Sequence, residues 1–219
     1  MKIIKPSVVI ENQNWSELLR RIETKGRVCY KSEDRITDDS AEKFIESIAK
    51  RSHMSVLEHS SISVKFIVDR GVSHEIVRHR LASYSQESTR FCNYGHDDEI
   101  TVIDPFFFLI GSSKRENWWA TCEIAEECYL ALLRIGATPQ EARSVLPNSL
   151  KTELWMTANI REWLHFFSVR AAKPAHPQMR QVAIPLLLRL QELLPPIFGS
   201  MGYDQGFPIE HYVEVVIDE

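Results

Sequence analysis

The sequence predicts an α+β fold: a helix-rich single domain over residues 1–219 with a small, mostly antiparallel sheet. Three observations carry that reading. Asp38–Arg51 sets Ala41, Phe44, Ile45, Ile48 and Ala49 at helical spacing. Ser61–Val68 alternates instead, with Ile62, Val64, Phe66 and Val68 on one side, the period of a half-buried strand. The strand-like segments are few and are not regularly interleaved with helices, which argues against a doubly wound α/β sheet.

Taken in order, Lys2–Ile10 is rich in β-formers and predicts a strand, and Trp15–Lys25 a short helix. Thr37, Asp38 and Asp39 supply cap candidates for the helix that follows. After the strand at Ser61–Val68, Gly71 marks a turn and Ser73–Leu81 predicts a helix. Residues 82–98 are polar and predict a loop, and long loops inside compact domains are often functional. Glu99–Asp104 predicts a strand, and Ser113–Ile135 a long helix closed by Gly136. Thr138-Pro139-Gln140-Glu141 is a capping box with proline at the first helical position, opening a short helix that ends near Pro147. Thr152–Val169, crowded with Leu154, Trp155, Ile160, Trp163, Leu164 and Phe167, predicts one helix. Gln178–Leu194 predicts another, kinked at Pro185, and Tyr212–Asp218 a last strand. The apolar runs Phe106–Ile110 and Ile184–Leu188 read as core, as do Cys122 and Cys128 in the long helix.

The composition excludes several classes. With 26 Lys and Arg against 30 Asp and Glu, the formal charge is −4, which disfavours broad nucleic-acid binding. No apolar run approaches the roughly 20 residues that span a bilayer, and Met1–Pro6 does not read as a signal peptide. Cys29, Cys92, Cys122 and Cys128 form no C-x-x-C pair, and their spacings do not suggest a zinc ribbon. A reducing cytoplasm is the expected compartment. No H-E-x-x-H occurs, and no metal is expected.

The segment Arg78-His79-Arg80-Leu81-Ala82-Ser83-Tyr84-Ser85-Gln86-Glu87-Ser88-Thr89-Arg90 carries the chemistry. Hydroxyls, backbone amides and guanidinium groups together suit a phosphate, because the planar fork of arginine bonds two oxygens at once. On spacing alone a solvated basic turn competes with that cradle. Ser88 or Cys92 as a nucleophile, a histidine metal site, and a binding module for RNA are further alternatives.

Arg-His-Arg followed by seven residues and Ser resembles the signature of flavin-dependent thymidylate synthases. His53-Met54-Ser55-Val56-Leu57-Glu58-His59, Arg143-Ser144-Val145-Leu146-Pro147, and Asn159-Ile160-Arg161 with His165 and Arg170 resemble further blocks of that family, in order. The resemblance implies an enzyme that binds FAD and takes a hydride from NADPH. It implies transfer of a one-carbon unit from 5,10-methylenetetrahydrofolate to C5 of dUMP, giving dTMP. It also implies a homotetramer with shared active sites, working on small molecules rather than nucleic acid or membrane. By the same resemblance, dUMP is held by Glu75, Arg78, Gln86, Glu87, Ser88, Thr89, Arg90, Arg143 and Arg170, and Arg170 activates the ring. The FAD contacts are Ser55, Arg78, His79, Arg80, Gln86, Asn159, Arg161 and His165. The chain departs from the family pattern at Gln86, often Glu; at Glu75, often Gln; and at Phe91, often Tyr. It has no G-x-G-x-x-G motif, and the shared site would explain a flavoprotein without one.

Overall fold

Lys5 and Pro6 split the first strand. In the computed structural model, which describes residues 1–218, β1 covers Lys2–Ile4 and β2 covers Ser7–Ile10. Proline has no N–H to give to a ladder, which accounts for the break. Helix α1 (Trp15–Val28) starts where Asn14 Oδ1 accepts the Glu17 N–H at 2.9 Å. Helix α2 (Ser40–Lys50) lies where predicted and buries Ala41, Phe44, Ile45 and Ile48. A 3-10 turn at Met54–His59 leads into β3 (Ser61–Asp69), whose Ile62, Val64, Phe66 and Val68 are buried as the alternation predicts.

Asp69 ends β3 and at once caps helix α3 (Arg70–Ile76), accepting the Val72 N–H at 2.6 Å. This helix starts before Gly71 and stops short of the predicted Leu81. Strand β4 (Ala82–Gln86) occupies the start of the segment predicted as loop. Strand β5 is Thr101–Ile103. Helix α4 (Ser113–Arg134) ends in a Schellman motif. There Gly136, at φ +95°, donates to Leu133 O, and Ala137 donates to Leu132 O, each at 3.0 Å. Helix α5 (Pro139–Ala142) carries the predicted capping box: the Glu141 carboxylate accepts the Thr138 N–H at 2.8 Å.

The segment predicted as one helix over Thr152–Val169 is instead strand β6 (Lys151–Asn159) followed directly by helix α6 (Ile160–Arg170). Thr152, Leu154, Met156 and Ala158 are all buried, a period of two that the helix-forming Glu153, Leu154 and Met156 disguise. Helix α7 (Pro177–Leu193) runs through Pro185, and α8 (Pro195–Phe198) and β7 (Glu214–Ile217) complete the chain.

The strand pairing is mixed rather than mostly antiparallel. β1 pairs with β5 in parallel, Lys2 opposite Thr101, and a five-stranded sheet has the order β4-β6-β3-β2-β7. Within the latter, β3 and β6 are antiparallel. Ile160 N–H donates to Ser60 O at 3.0 Å, and the hydroxyls of Ser63 and Thr157 lie 2.9 Å apart. The parallel pair joins segments far apart in the chain, with no turn signal between them to announce it.

Packing gathers these elements into two compact units. One comprises Met1–Ser7, Phe66–Arg78 and Tyr84–Trp155; the other comprises Val8–Lys65, His79–Ser83 and the chain from Met156 onward. The first is centred on Ile100, Val102, Cys122, Tyr129, Leu130, Ala142 and Leu150. Cys128 is exposed there, and Leu109 and Ile110 are 78% and 93% exposed, so neither Cys128 nor the Phe106–Ile110 run is core. The second unit is centred on Trp163, Phe166, Phe167 and Phe198 with α7, where the expected core run Ile184–Leu188 is buried except for the half-buried Leu188. Edge-on packing of the four rings adds about 0.5–1.5 kcal/mol per pair to the area that they bury. Among the described residues no helix is long and apolar enough to cross a membrane.

Candidate active site

The first unit holds Glu75, Arg78, Gln86, Glu87, Ser88, Thr89, Arg90 and Arg143, the residues expected to hold dUMP apart from Arg170. Gln86, at the end of β4, donates from Nε2 to Ser73 Oγ at 3.0 Å and to Thr152 Oγ1 at 3.2 Å. A carboxylate cannot donate, which gives the amide at this position a physical reason. Glu87 is held from both sides: Tyr94 Oη donates to Oε1 at 2.8 Å and Lys151 Nζ to Oε2 at 3.0 Å. Its own N–H donates to Glu153 O at 2.9 Å. Burial opposes the Lys151 charge, but hydrogen bonds to Glu153 and Glu87 outweigh it and raise the lysine's pKa. Burial beside the Glu87 charge also pushes the Tyr94 phenol far up, so it stays a donor.

Past this clamp the chain turns. The N–H groups of Phe91 and Cys92 donate to Ser88 O at 3.0 and 2.9 Å, and Arg90 N–H to Ser88 Oγ at 3.3 Å. The Ser88 hydroxyl therefore shapes its own turn. Arg143 reaches Thr89 Oγ1 at 3.4 Å. Arg78, Arg90 and Arg143 are all exposed, and Arg90 lies over the Phe91 ring, 5.4 Å from its centre. Glu75 is half-buried on α3.

The second unit holds Ser55, His79, Arg80, Asn159, Arg161, His165 and Arg170. His79 is only 5% exposed, and both of its nitrogens are engaged. Arg170 Nε donates to Nε2 at 3.1 Å, so Nδ1 carries the hydrogen and donates to Glu162 Oε1 at 2.9 Å. Burial lowers the His79 pKa most; the Glu162 bond opposes that, and the Arg170 charge reinforces it. His79 is thus a neutral imidazole between a carboxylate and a guanidinium. The His165 and Phe166 rings flank it at 5.3 and 5.0 Å. Asn159 ends β6 and caps α6, its Oδ1 accepting the Glu162 N–H at 2.8 Å. That cap fixes the turn of helix carrying Glu162. Arg161 pairs with Glu58 at 2.5 Å, while Ser55 and Arg80 are exposed.

The ligand atoms of His79, Glu162 and His165 lie within 4.8 Å of one another, a spacing that a cation could use. A metal would need one of the two His79 nitrogens and would sit beside the Arg170 guanidinium. Arg80, Arg161 and His165 are exposed on the same unit and are donors of the kind that a pyrophosphate needs.

Glu162, Lys151 and Tyr94 were not anticipated from the sequence. Glu162 lies three residues after Asn159, the position that a helix cap fixes, and that spacing could have pointed to it once a helix start at Ile160 was recognised.

The family model described as "Thymidylate synthase complementing protein" matches residues 12–196. The flavin-dependent thymidylate synthase of Geobacter sulfurreducens is 32% identical over 183 residues, 80% of this chain and 78% of that one. The enzyme of the same name from Mycobacteroides abscessus is 34% identical over 196 residues, 82% and 78% of the two chains. Among solved structures, the UMP/dUMP methylase PolB from Streptomyces cacaoi, bound with 5-Br dUMP, superposes with a TM-score of 0.74. The identity is 25%, covering 91% of this chain and 96% of that one. These likenesses place the chain in a class of flavin-dependent enzymes. The chain belongs to the thymidylate synthase complementing protein family, that of the flavin-dependent thymidylate synthases.

Proposed function

We propose that this chain performs its family's reaction, the reductive methylation of dUMP to dTMP, with residues 1–219 acting as one functional domain. The carbon comes from 5,10-methylenetetrahydrofolate and the reducing equivalents from NADPH. C5 of uracil is a weak nucleophile until negative charge accumulates on the ring. A permanently protonated guanidinium stabilises that charge but cannot itself remove a proton. Arg170 takes this role, and the observation that carries it is its fixed donation to the neutral His79. Arg78, Arg90 and Arg143, with Ser88 and Thr89, take the phosphate. Gln86 and Glu75 line the nucleotide, and Glu87 holds the turn. Ser55, Arg80, Asn159, Arg161 and His165, with His79, Arg78 and Gln86, take FAD, which when bound supplies the hydride transfer. Across the reaction the C5 hydrogen leaves as a proton, the carbon joins C5, and a hydride brings it to methyl.

We assign the working enzyme to a homotetramer with shared sites, in the cytoplasm. Support for assembly comes from apolar side chains left open beside the motif, Leu81 at 72% and Phe91 at 80% exposure. The cysteines are free thiols, which suits a reducing compartment.

The test is tritium release from dUMP labelled at C5, with methylenetetrahydrofolate, NADPH and FAD, and each omitted in turn. Release that requires both FAD and NADPH is the expected result. No release from folded, flavin-loaded protein would overturn the assignment. Arg170→Ala should cut release far more than it cuts flavin content, leaving a measurable remainder; unchanged release would remove Arg170 from the activating role.

A further inference from the structure

Helix α6 ends on Arg170, and its last carbonyls have no partner within the helix. Just past them, the carbonyl of the capping residue Ala171 accepts the backbone N–H of Asp204 at 2.9 Å. Asp204 lies beyond residues 12–196, the stretch that the family model matches. Its carboxylate does two further things. Oδ1 accepts the Gly206 N–H at 3.2 Å, and Oδ2 pairs with Arg180 Nη1 at 2.5 Å. Arg180, near the start of α7, donates from Nε to Ala175 O at 3.1 Å. Its guanidinium also lies over the Phe207 ring, 4.9 Å from the centre. The Arg180 and Asp204 side chains are only 16% and 10% exposed, so the pair is well desolvated.

The turn joining α6 to α7 is thereby gripped at Ala171 and at Ala175, and both grips meet in the Arg180–Asp204 pair. A buried ion pair is weak support for overall stability, since hydrophobic replacements often stabilise as well. What it supplies here is a fixed direction: one residue, Asp204, holds Ala171 through its backbone N–H and Ala175 through its carboxylate by way of Arg180.

We infer that Asp204 and Arg180 are positioning residues for Arg170, so that the segment around Asp204 supports the catalytic residue. The inference rests on the activating role given to Arg170. Asp204 holds Ala171, the residue that caps α6, and so supports the guanidinium one residue earlier.

The test compares Asp204→Asn, Arg180→Met/Asp204→Leu and Arg170→Ala in the full-length, flavin-loaded enzyme, with turnover counted per bound flavin. Counting per flavin removes losses due to unfolded protein. For Asp204→Asn and the double variant, kcat should fall between about tenfold and about a hundredfold, as for a small misplacement of a reacting group. The KM for dUMP should stay within about twofold, because the phosphate contacts are elsewhere. Adding Asp204→Asn to Arg170→Ala should cause no further loss, since both act through one guanidinium. If Arg170→Ala loses turnover while the double variant keeps wild-type kcat per flavin, the positioning role is overturned and the Arg170 assignment stands. Additive losses would overturn it equally. If Arg170→Ala keeps its turnover, both fall.

Discussion

Arg170 donates from Nε to His79 Nε2 at 3.1 Å, and the direction of that bond places the imidazole proton on the other side, against Glu162. Protonating His79 would set a second positive charge against the guanidinium. Burial above all, reinforced by that charge, lowers the ring's pKa below the usual histidine value of 6.5. In the unfolded chain no such lowering exists. The stabilisation is therefore whole above the unfolded value and is lost as pH falls through the lower, folded one. Urea unfolding from about pH 7.5 to about pH 5 should show it, and His79→Gln should flatten that slope. An unchanged slope in His79→Gln would mean that other groups carry the acid sensitivity.

Glu162→Ala removes the acceptor from a buried N–H. The expected cost is about 1–3 kcal/mol of folding free energy, read from denaturant midpoints at neutral pH. A smaller loss would show that water replaces the carboxylate.

Arg90 is exposed on the turn that Ser88 shapes, so removing it should weaken binding without weakening the fold. A hydrogen bond to a charged group contributes about 1.5–3 kcal/mol, so Arg90→Ala should lower dUMP affinity roughly tenfold to a hundredfold. Calorimetry with dUMP and deoxyuridine separates the causes. The loss should vanish for the nucleoside, which has no phosphate.

Lys151 makes two ion pairs, with Glu87 at 3.0 Å and with Glu153 at 2.6 Å. Its pKa is raised, so the stabilisation is present below the usual 10.5 and is lost as pH rises through the higher folded value. Lys151→Met should cost about 1–2 kcal/mol, a figure reduced for partial solvent access. It should also remove the alkaline part of the stability profile. A Met variant with the wild-type alkaline profile would exclude this clamp as its source.

Gly26 sits where α1 meets α2. A Cβ there would lie 2.6 Å from Phe44 Cε1 and 2.9 Å from Val56 Cγ1. Alanine normally favours a helix interior, but here overpacking should win by about 1–3 kcal/mol. A thermal midpoint at or above wild type for Gly26→Ala would show that the Phe44 ring can move aside.

Local pattern carried much of the architecture. The alternation of Ser61–Val68, the apolar stripe of α2, the capping box at Thr138 and Gly136 as a helix stop are each written within a few residues, and each is present. The sequence could not show what depends on distant partners. β6 was concealed because its residues also form helices well, and only pairing with β3 decides the matter. β5 was foreseen as a strand, but its parallel partner was not. The same division holds for the site. The arginines and hydroxyls of 78–90 are legible because motif and chemistry coincide. Glu162, Tyr94, Lys151 and Asp204 act through contacts that only the folded chain brings together.

Two strands run into helices without a single connecting residue: Asp69 closes β3 and caps α3, and Asn159 closes β6 and caps α6. The strand therefore dictates the rotational phase of the helix that follows. One residue inserted at either junction would turn every later helical side chain by about 100°. At the second junction Glu162, His165 and Arg170 would swing away from His79 together. These junctions can accept a change of residue far more readily than a change of length. Sequence drift in this fold should accumulate as substitutions there, while insertions and deletions are confined to stretches such as 104–112, where no helix inherits its phase from a strand.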